Sequence, residues 1–486
     1  MSSVPLRHPG DAFVCVYDAL EALRISTREL RAWAEDPDVR LLANSVREEI
    51  LDAGGVLESR LEGRSARELY AVLRGVDEAF WYANPFREYV EHGELGDVRE
   101  ILIRTHKYNE TEADALLPRR TYPGTPMSGP SELAQHFDLV RVPEQVWKQI
   151  SPHSLMDSLS DFEATTALTV DLKVGQLPFL ANSGDLRVEP RIEGSYQYYQ
   201  AWPRPGRDWS QRIEDALASA DMSGAHLVLL PELALDSDLL HLWQETIRSH
   251  RSRVTALRWI LLGAGPTISG DADEHQPANR AALVDRSNGD IILAQDKQCP
   301  FNISDGVLRR WNLHAFRSWG LESGKGTYDE WIAEGVDLAF LESEIGRLVI
   351  LVCEDLGHVP DIGYLVRSIG ASQVLVPIWA PPINRYHWEE QSGGMLVNHV
   401  GCTTIVSNGL SLGRKYPASH RETPGEPAVT LLVLSALGET QPVSAPSSVA
   451  LATNAVRDAT TTRIADWLAP PSSAPHLRRG PRAVAG

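Results

Sequence analysis

Apolar residues recur at spacings of three and four through "AFVCVYDALEALRISTRELRAWA", "SVREEILDAGGVLESRLEG" and "SARELYAVLRGVDEAFWYA", the period of amphipathic helices with one face turned to a core. From Asp11 to about Ile150 the chain therefore reads as helical, and no catalytic pattern stands out there. After Thr165 the period changes. Short runs such as "LTVDLKVGQL", "AHLVLLPE", "RWILLGAG", "GRLVILVCEDLG", "SQVLVPIWA" and "TTIVSNG" alternate with amphipathic stretches such as "RIEDALASA" and "DIGYLVRSIG". Strands apolar throughout are buried on both faces, which calls for helices covering a sheet, so the expected class is α/β. "RAALVD" and "DIILAQ" flank "RSNG", where Asn288 and Gly289 suit a tight hairpin, so the sheet is expected to be mixed.

Between these textures, "LLPRRTYPGTPMSGPSEL" at 116–133 is rich in Pro and Gly and reads as a linker or an exposed loop. The resulting division is a helical region at 1–160, the α/β domain at 161–440, and a Pro/Ala/Ser-rich tail at 441–486. The tail's last stretch, "PPSSAPHLRRGPRAVAG", has too little apolar surface to offset the cost of ordering and is expected to be disordered.

The 486 residues are 43% hydrophobic and 23% charged, as in a globular protein with room for two domains. The net charge of -19 argues against nucleic-acid and anionic-membrane partners, which require clustered Lys and Arg. No apolar run approaches the roughly 18 residues of a membrane span, and the start lacks a basic segment followed by an apolar run. Cys15, Cys299, Cys353 and Cys402 are scattered without C-x-x-C spacing, so neither a disulfide framework nor a metal site is indicated. Reduced thiols in the cytoplasm are the expectation, with a small-molecule partner and neither cofactor nor metal.

Three residues share one placement. Glu232 follows "HLVLLP", Lys297 follows "DIILAQD", and Cys353 follows "LVILV". Side chains at the carboxyl ends of strands line the ligand crevice of open α/β sheets, so the three can converge. A free thiol is mostly protonated at neutral pH and needs a base or a cation beside it to act as a nucleophile. Glu232 and Lys297 supply both. A strand ending at Cys353 and turning toward a helix presents its sulfur on a tight elbow. There the Glu354 backbone N–H and the Lys297 ammonium are placed to hold a reacting carbonyl oxygen. Nucleophile, base and oxyanion site together specify acyl transfer.

"LVLLPELAL", "AQDKQCPF" and "ILVCEDLG", in the order Glu, Lys, Cys, resemble the carbon–nitrogen hydrolase (nitrilase) superfamily. The resemblance covers about residues 165–440. It includes "LKVGQLPF" with Gln176, "ANRAALVDRSNGDIILAQDK", "GASQVLVPIWAPP", and "NHVGCTTIVSNG" ending at Asn408. It implies an α-β-β-α sandwich, a homo-oligomer, and metal-free hydrolysis of an amide, carbamoyl or nitrile group. Carried over, Cys353 attacks, Glu232 is the acid–base and Lys297 holds the oxyanion, with a thioester on Cys353 as intermediate. The "CED" wording is similar to the glutaminase domains of glutamine-dependent NAD synthetases, which favours an amide over a nitrile.

Two departures from the family pattern concern the substrate side. Pro300 stands where the family often has a Leu, and the second acid after the lysine is open between Asp305 and Glu322. Glu354, Trp379, Asn408 and Asp305 are the candidate substrate-binding residues. The stretch 187–209 is longer than the usual link after the first strand and reads as a lid or an interface loop.

Against these readings stand plainer ones. Cys353 alone reads as a core cysteine, Glu232 as a helix cap, and Lys297 as a surface lysine. Cys299 competes as nucleophile but has no elbow after it, and His358, His387 and His399 allow a Cys–His dyad on paper. The rival functions are a scaffold or partner-dependent subunit docked through the helical region, and an acyltransferase that passes the acyl group to an amine.

Overall fold

In the computed structural model of the chain, the described residues are 9–53, 61, 63–79, 109, 114–118, 133–137, 139–154, 173–177, 179–180, 183–251, 253–267, 276–311, 313, 320–322, 324, 326–343, 346–359, 361–381, 388–409, 412, 429–434, 441–444 and 462–463. Helices α1 (Pro9–Ala22), α2 (Thr27–Glu35), α3 (Pro37–Ala53) and α4 (Ala66–Ala79) come first. Ser26 and Glu29 form a reciprocal capping box that starts α2, and Pro37 suits the first turn of α3, where its missing N–H costs nothing. Gly75 lets α4 approach α3 closely, since a Cβ there would stand 2.6 Å from the Ala43 carbonyl oxygen.

The same region also holds strands, which its helical period does not show: β1 (Ala115–Pro118), β2 (Leu139–Val142) and β3 (Ile150–Ser154). β1 and β2 pair antiparallel. Leu116, Phe137 and Leu139 share a core with Phe13, Val16, Tyr70 and Val72, and the Asp77 carboxylate accepts the Leu139 N–H at 2.6 Å. The third helical stretch ends at Ala79, and residues 80–108 lie outside the described set.

The α/β part begins with β4 (Lys173–Gln176), β5 (Leu186–Glu193), β6 (Tyr196–Pro203), α5 (Trp209–Met222), β7 (Leu227–Leu229) and α6 (Ser237–Ser249). It continues with β8 (Trp259–Leu261), β9 (Pro266–Thr267), β10 (Ala278–Asp285), β11 (Ile291–Asp296), β12 (Asn302–Ile303) and α7 (Asp305–Arg310). After them come β13 (Tyr328–Glu330), β14 (Leu338–Ser343), β15 (Gly346–Ile350), α8 (Ile362–Ser368), β16 (Gln373–Ile378), α9 (Trp388–Val400) and β17 (Thr403–Asn408). β18 (Val429–Leu434), β19 (Gln441–Ser444) and β20 (Thr462–Arg463) close the order.

Two mixed sheets result. One runs β11-β10-β8-β7-β4-β20, with β9 on β10, and the other β19-β18-β17-β16-β15-β14-β3. Their inner faces share one core, in which Val174, Leu229 and Leu261 of the first meet Ile350, Leu375 and Ile405 of the second. Helices α5 and α6 cover the outer face of the first sheet through Ile213, Leu217, Leu239 and Trp243. Leu365, Val366 and Leu396 of α8 and α9 belong with the second sheet. The layers are thus helix, sheet, sheet, helix, as the doubly buried strands require.

The β10–β11 hairpin forms with Gly289 at φ +75°, a conformation open to glycine. The second sheet takes β3 from the N-terminal stretch, parallel to β14, and the tail supplies β19 and β20. The long link after the first strand folds as the β5–β6 hairpin, within a small sheet of order β12-β13-β6-β5.

Candidate active site

The carboxyl ends of β7, β11 and β15 meet where the two sheets face. Beyond β7, Pro231 turns the chain so that Glu232 forms a parallel bridge with Ala264. That contact needs Gly263, where a Cβ would overlap the Pro231 carbonyl oxygen and φ is +78°. Lys297 follows β11, and its backbone N–H donates to the Asn279 carbonyl at 2.9 Å. Cys353 opens a single 3₁₀ turn, Cys353–Gly357, after β15. Its φ is +49°, a left-handed conformation that costs a side chain of this kind of order 1 kcal/mol or more and recurs where geometry serves a site. This is the elbow expected from the sequence.

Glu232, Lys297 and Cys353 are 2%, 1% and 5% exposed. The lysine Nζ lies 2.9 Å from Glu232 Oε1 and 2.6 Å from Oε2 of a second acid, Glu330. The second acid is therefore neither Asp305 nor Glu322. Asp305 sits on the first turn of α7 and accepts the Gly324 N–H at 2.9 Å, and the Glu322 backbone meets the Tyr328 hydroxyl. The Asn279 amide joins the two carboxylates, donating to Glu232 Oε1 at 3.0 Å and Glu330 Oε1 at 2.8 Å. The Phe301 N–H fixes Glu330 Oε2 at 2.9 Å.

Burial pulls the Lys297 ammonium toward neutrality, but Glu232 and Glu330 outweigh it and hold the lysine well above its usual range. Burial raises Glu232, with Lys297 opposing and Glu330 adding to the rise. Burial, then the charge of Glu232, pushes the Cys353 thiol well above a free cysteine, while Lys297 and the Trp379 backbone N–H draw it back. At rest the sulfur is thus a thiol hydrogen-bonded to Glu232, poised to lose its proton to that carboxylate.

The remaining predicted residues divide. The Trp379 backbone reaches Cys353, and its ring stands edge-on to Trp311 at 6.3 Å. Glu354 is half-buried, raised by that burial, with His358 Nε2 at 3.7 Å. Asn408 spends its amide on the 380–381 turn, donating to the Ala380 and Pro381 carbonyls at 3.1 and 2.9 Å, and its own carbonyl accepts from Gln176 at 2.8 Å. Asn408 thus anchors the chain after Trp379. Cys299 is pushed up to about 12 by burial and then by Asp355, so it stays a thiol. His399 lies on α9, and His387 lies outside the described residues.

Sequence reasoning missed Glu330, Asn279 and Tyr199. Tyr199 pairs with Glu330 in the parallel register of β6 and β13, so both side chains share one face. Burial, then the Glu330 charge, holds its phenol protonated. The available signal was "YDEW", in which Tyr328 and Glu330 are buried and Asp329 is exposed, an acid on the apolar side of an alternating strand. Among the described residues, no three His, Cys, Asp or Glu side chains are grouped to hold a metal ion, and no helix is long and apolar enough to cross a membrane.

No protein-family model matches the chain, and no curated protein matches it in sequence. Solved structures do. The chain is similar to an amidase of the nitrilase superfamily from Nesterenkonia AN1, at 16% identity and TM-score 0.32, over 57% of this chain and 87% of that one. It is similar to Nit3 of Saccharomyces cerevisiae, a nitrilase-superfamily member, at 12% identity and TM-score 0.33, over 55% and 88%. A glutamine-dependent NAD+ synthetase from Acinetobacter baumannii matches at 15% identity and TM-score 0.33, over 54% of this chain and 43% of the synthetase.

Proposed function

We propose that the chain is a carbon–nitrogen hydrolase of the nitrilase superfamily, using Cys353 to cleave a non-peptide amide or carbamoyl group through a thioester. The observation that carries the reading is the buried Glu232–Lys297–Glu330 cluster beside a cysteine held at positive φ. A core has no use for two carboxylates and an ammonium at one point, because desolvating them costs several kcal/mol per ion. A covalent acyl transfer uses all of them.

In the reaction, the Cys353 sulfur attacks the carbonyl carbon as its proton passes to Glu232. Negative charge moves to the carbonyl oxygen, where the Lys297 ammonium and the Glu354 backbone N–H receive it. The carbon–nitrogen bond then breaks, Glu232 returns the proton to the leaving amine, and the acyl group remains on sulfur. Glu232 next takes a proton from water, which attacks the thioester, and the acid leaves as the thiol is re-formed. A carboxylate raised by burial suits the base role near neutral pH, since proton transfer is most effective when donor and acceptor are matched. Glu330 keeps Lys297 charged and aimed.

The test is release of ammonia or amine from a panel of amides, carbamoyl compounds and nitriles by the full chain and its Cys353→Ala variant. Turnover of an amide or carbamoyl compound by the unmodified chain alone supports the reading. Turnover that survives Cys353→Ala removes the cysteine from the mechanism.

A further inference from the structure

The acid two residues beyond the nucleophile is absent from the chemistry above, yet it is 2% exposed. Asp355 Oδ2 accepts the N–H of Val352, just before Cys353, at 3.0 Å. Its Oδ1 accepts the N–H groups of Gln298 and Cys299, just after Lys297, at 3.0 and 2.8 Å. One carboxylate therefore binds the turn that carries the nucleophile to the turn that carries the lysine. These turns come from different sheets, β15 and β11, and the bonds cross 56 and 57 positions of sequence.

We propose that Asp355 is a positioning residue: by accepting N–H bonds from both catalytic turns at once, its carboxylate sets the placement of the Cys353 sulfur relative to the Lys297 ammonium. The inference rests on the acyl-transfer reading. Three donors converge on two oxygens, an arrangement that suits an ionised acid, which is acceptor-only on both sides. A proton on either oxygen makes that oxygen a weaker acceptor and loosens its hold on one of the turns. Burial raises Asp355 to about 6, with the Val352 N–H and Lys297 opposing the rise, so release falls within an accessible pH range. The titratable groups set against it are Lys297, whose charge draws it down, and the Cys299 thiol, which burial and then the Asp355 charge and side chain raise.

The test is site-resolved alkylation of the full chain by iodoacetamide from pH 5 to 9, read as adduct on each of the four cysteines, for the unmodified protein and Asp355→Asn. Asn keeps the shape but can accept on one side only. The expected result is fastest labelling at Cys353, with an acid limb near pH 6, falling at least tenfold at neutral pH and losing that limb in Asp355→Asn. Labelling of Cys353 unchanged within twofold in rate and midpoint by Asp355→Asn overturns the positioning role while leaving the nucleophile in place. Cys353 no faster than Cys15, Cys299 and Cys402 in the unmodified chain overturns the acyl-transfer reading, and the inference with it. Should Asp355→Asn not fold, hydrogen exchange of the unmodified chain decides. Corrected for intrinsic rates, protection at Val352, Gln298 and Cys299 falls together below pH 6 if Asp355 joins the turns, and protection independent of pH refutes it.

Discussion

The N-terminal helical region and the sandwich use charged residues in opposite ways. In the helices, charged side chains sit at or near the surface, as in the Ser26–Glu29 capping box and the part-buried i,i+4 pair of Arg74 and Glu78 at 2.8 Å, or, like the buried Asp77, serve one backbone N–H, and apolar side chains such as Phe13 and Val72 fill the core. In the sandwich, Glu232, Lys297 and Glu330 meet at 2.6–2.9 Å in the interior. Surface pairs are weak and tolerate loss, whereas buried ones hold only as a complete set. The sandwich also buries Arg286 on Asp221 and Arg347 on Glu342, each cation meeting a single acid among the described residues. What sets the candidate site apart is two carboxylates on one ammonium beside a cysteine at positive φ.

The largest effect expected is on turnover. Cys353→Ala and Lys297→Met each lower the rate by about a thousandfold or more, losing the covalent route or the oxyanion contact. Kinetics on any substrate found in the panel checks this, and variants within tenfold of the parent break the comparison. Stability comes next. Lys297→Met leaves Glu232 and Glu330 buried without their cation and costs about 3–5 kcal/mol, read by denaturant unfolding at neutral pH.

Glu232→Gln sharpens the contrast from the other side. Because the folded-state value of Glu232 is raised above the ordinary carboxylate range, chiefly by burial, its stabilising contribution is present at low pH and lost as pH rises through that folded value. The neutral amide of Glu232→Gln is therefore expected to abolish turnover, and its melting temperature relative to the parent's to rise as the pH rises through that value, as melting curves across pH would record. Asp355, raised to about 6, follows the same sign. Its contribution is present below the ordinary aspartate value and lost through about pH 6, so Asp355→Asn gains stability relative to the parent between pH 4 and pH 7.5, as melting curves would record. The smallest effect belongs to the helices: Ser26→Ala costs about 1 kcal/mol through the lost cap and leaves Cys353 labelling unchanged.

What could be read in the sequence follows from what each residue needs locally. Glu232, Lys297 and Cys353 each end an apolar run, so the strand rule that placed the runs also placed the residues. Glu330 was hidden because it lies 33 positions beyond its partner Lys297 on a three-residue strand, and no periodicity spans that gap. Tyr199 reaches the site through the β6–β13 pairing, inside a stretch read as a loop. Asn408 was correctly placed at a strand end, but strand position does not say which neighbour takes the side chain, and the 380–381 carbonyls do. The short strands β1–β3 escaped because runs of four or five residues leave too few positions to show a period of two.

The most direct test of the central claim is intact-mass spectrometry of the full chain, acid-quenched during turnover of a panel substrate, with peptide mapping of any adduct. The account predicts a mass gain equal to the acyl group, on the peptide containing Cys353, that disappears as substrate is exhausted. Product formation with no adduct on Cys353, or with the adduct on another residue, would contradict it.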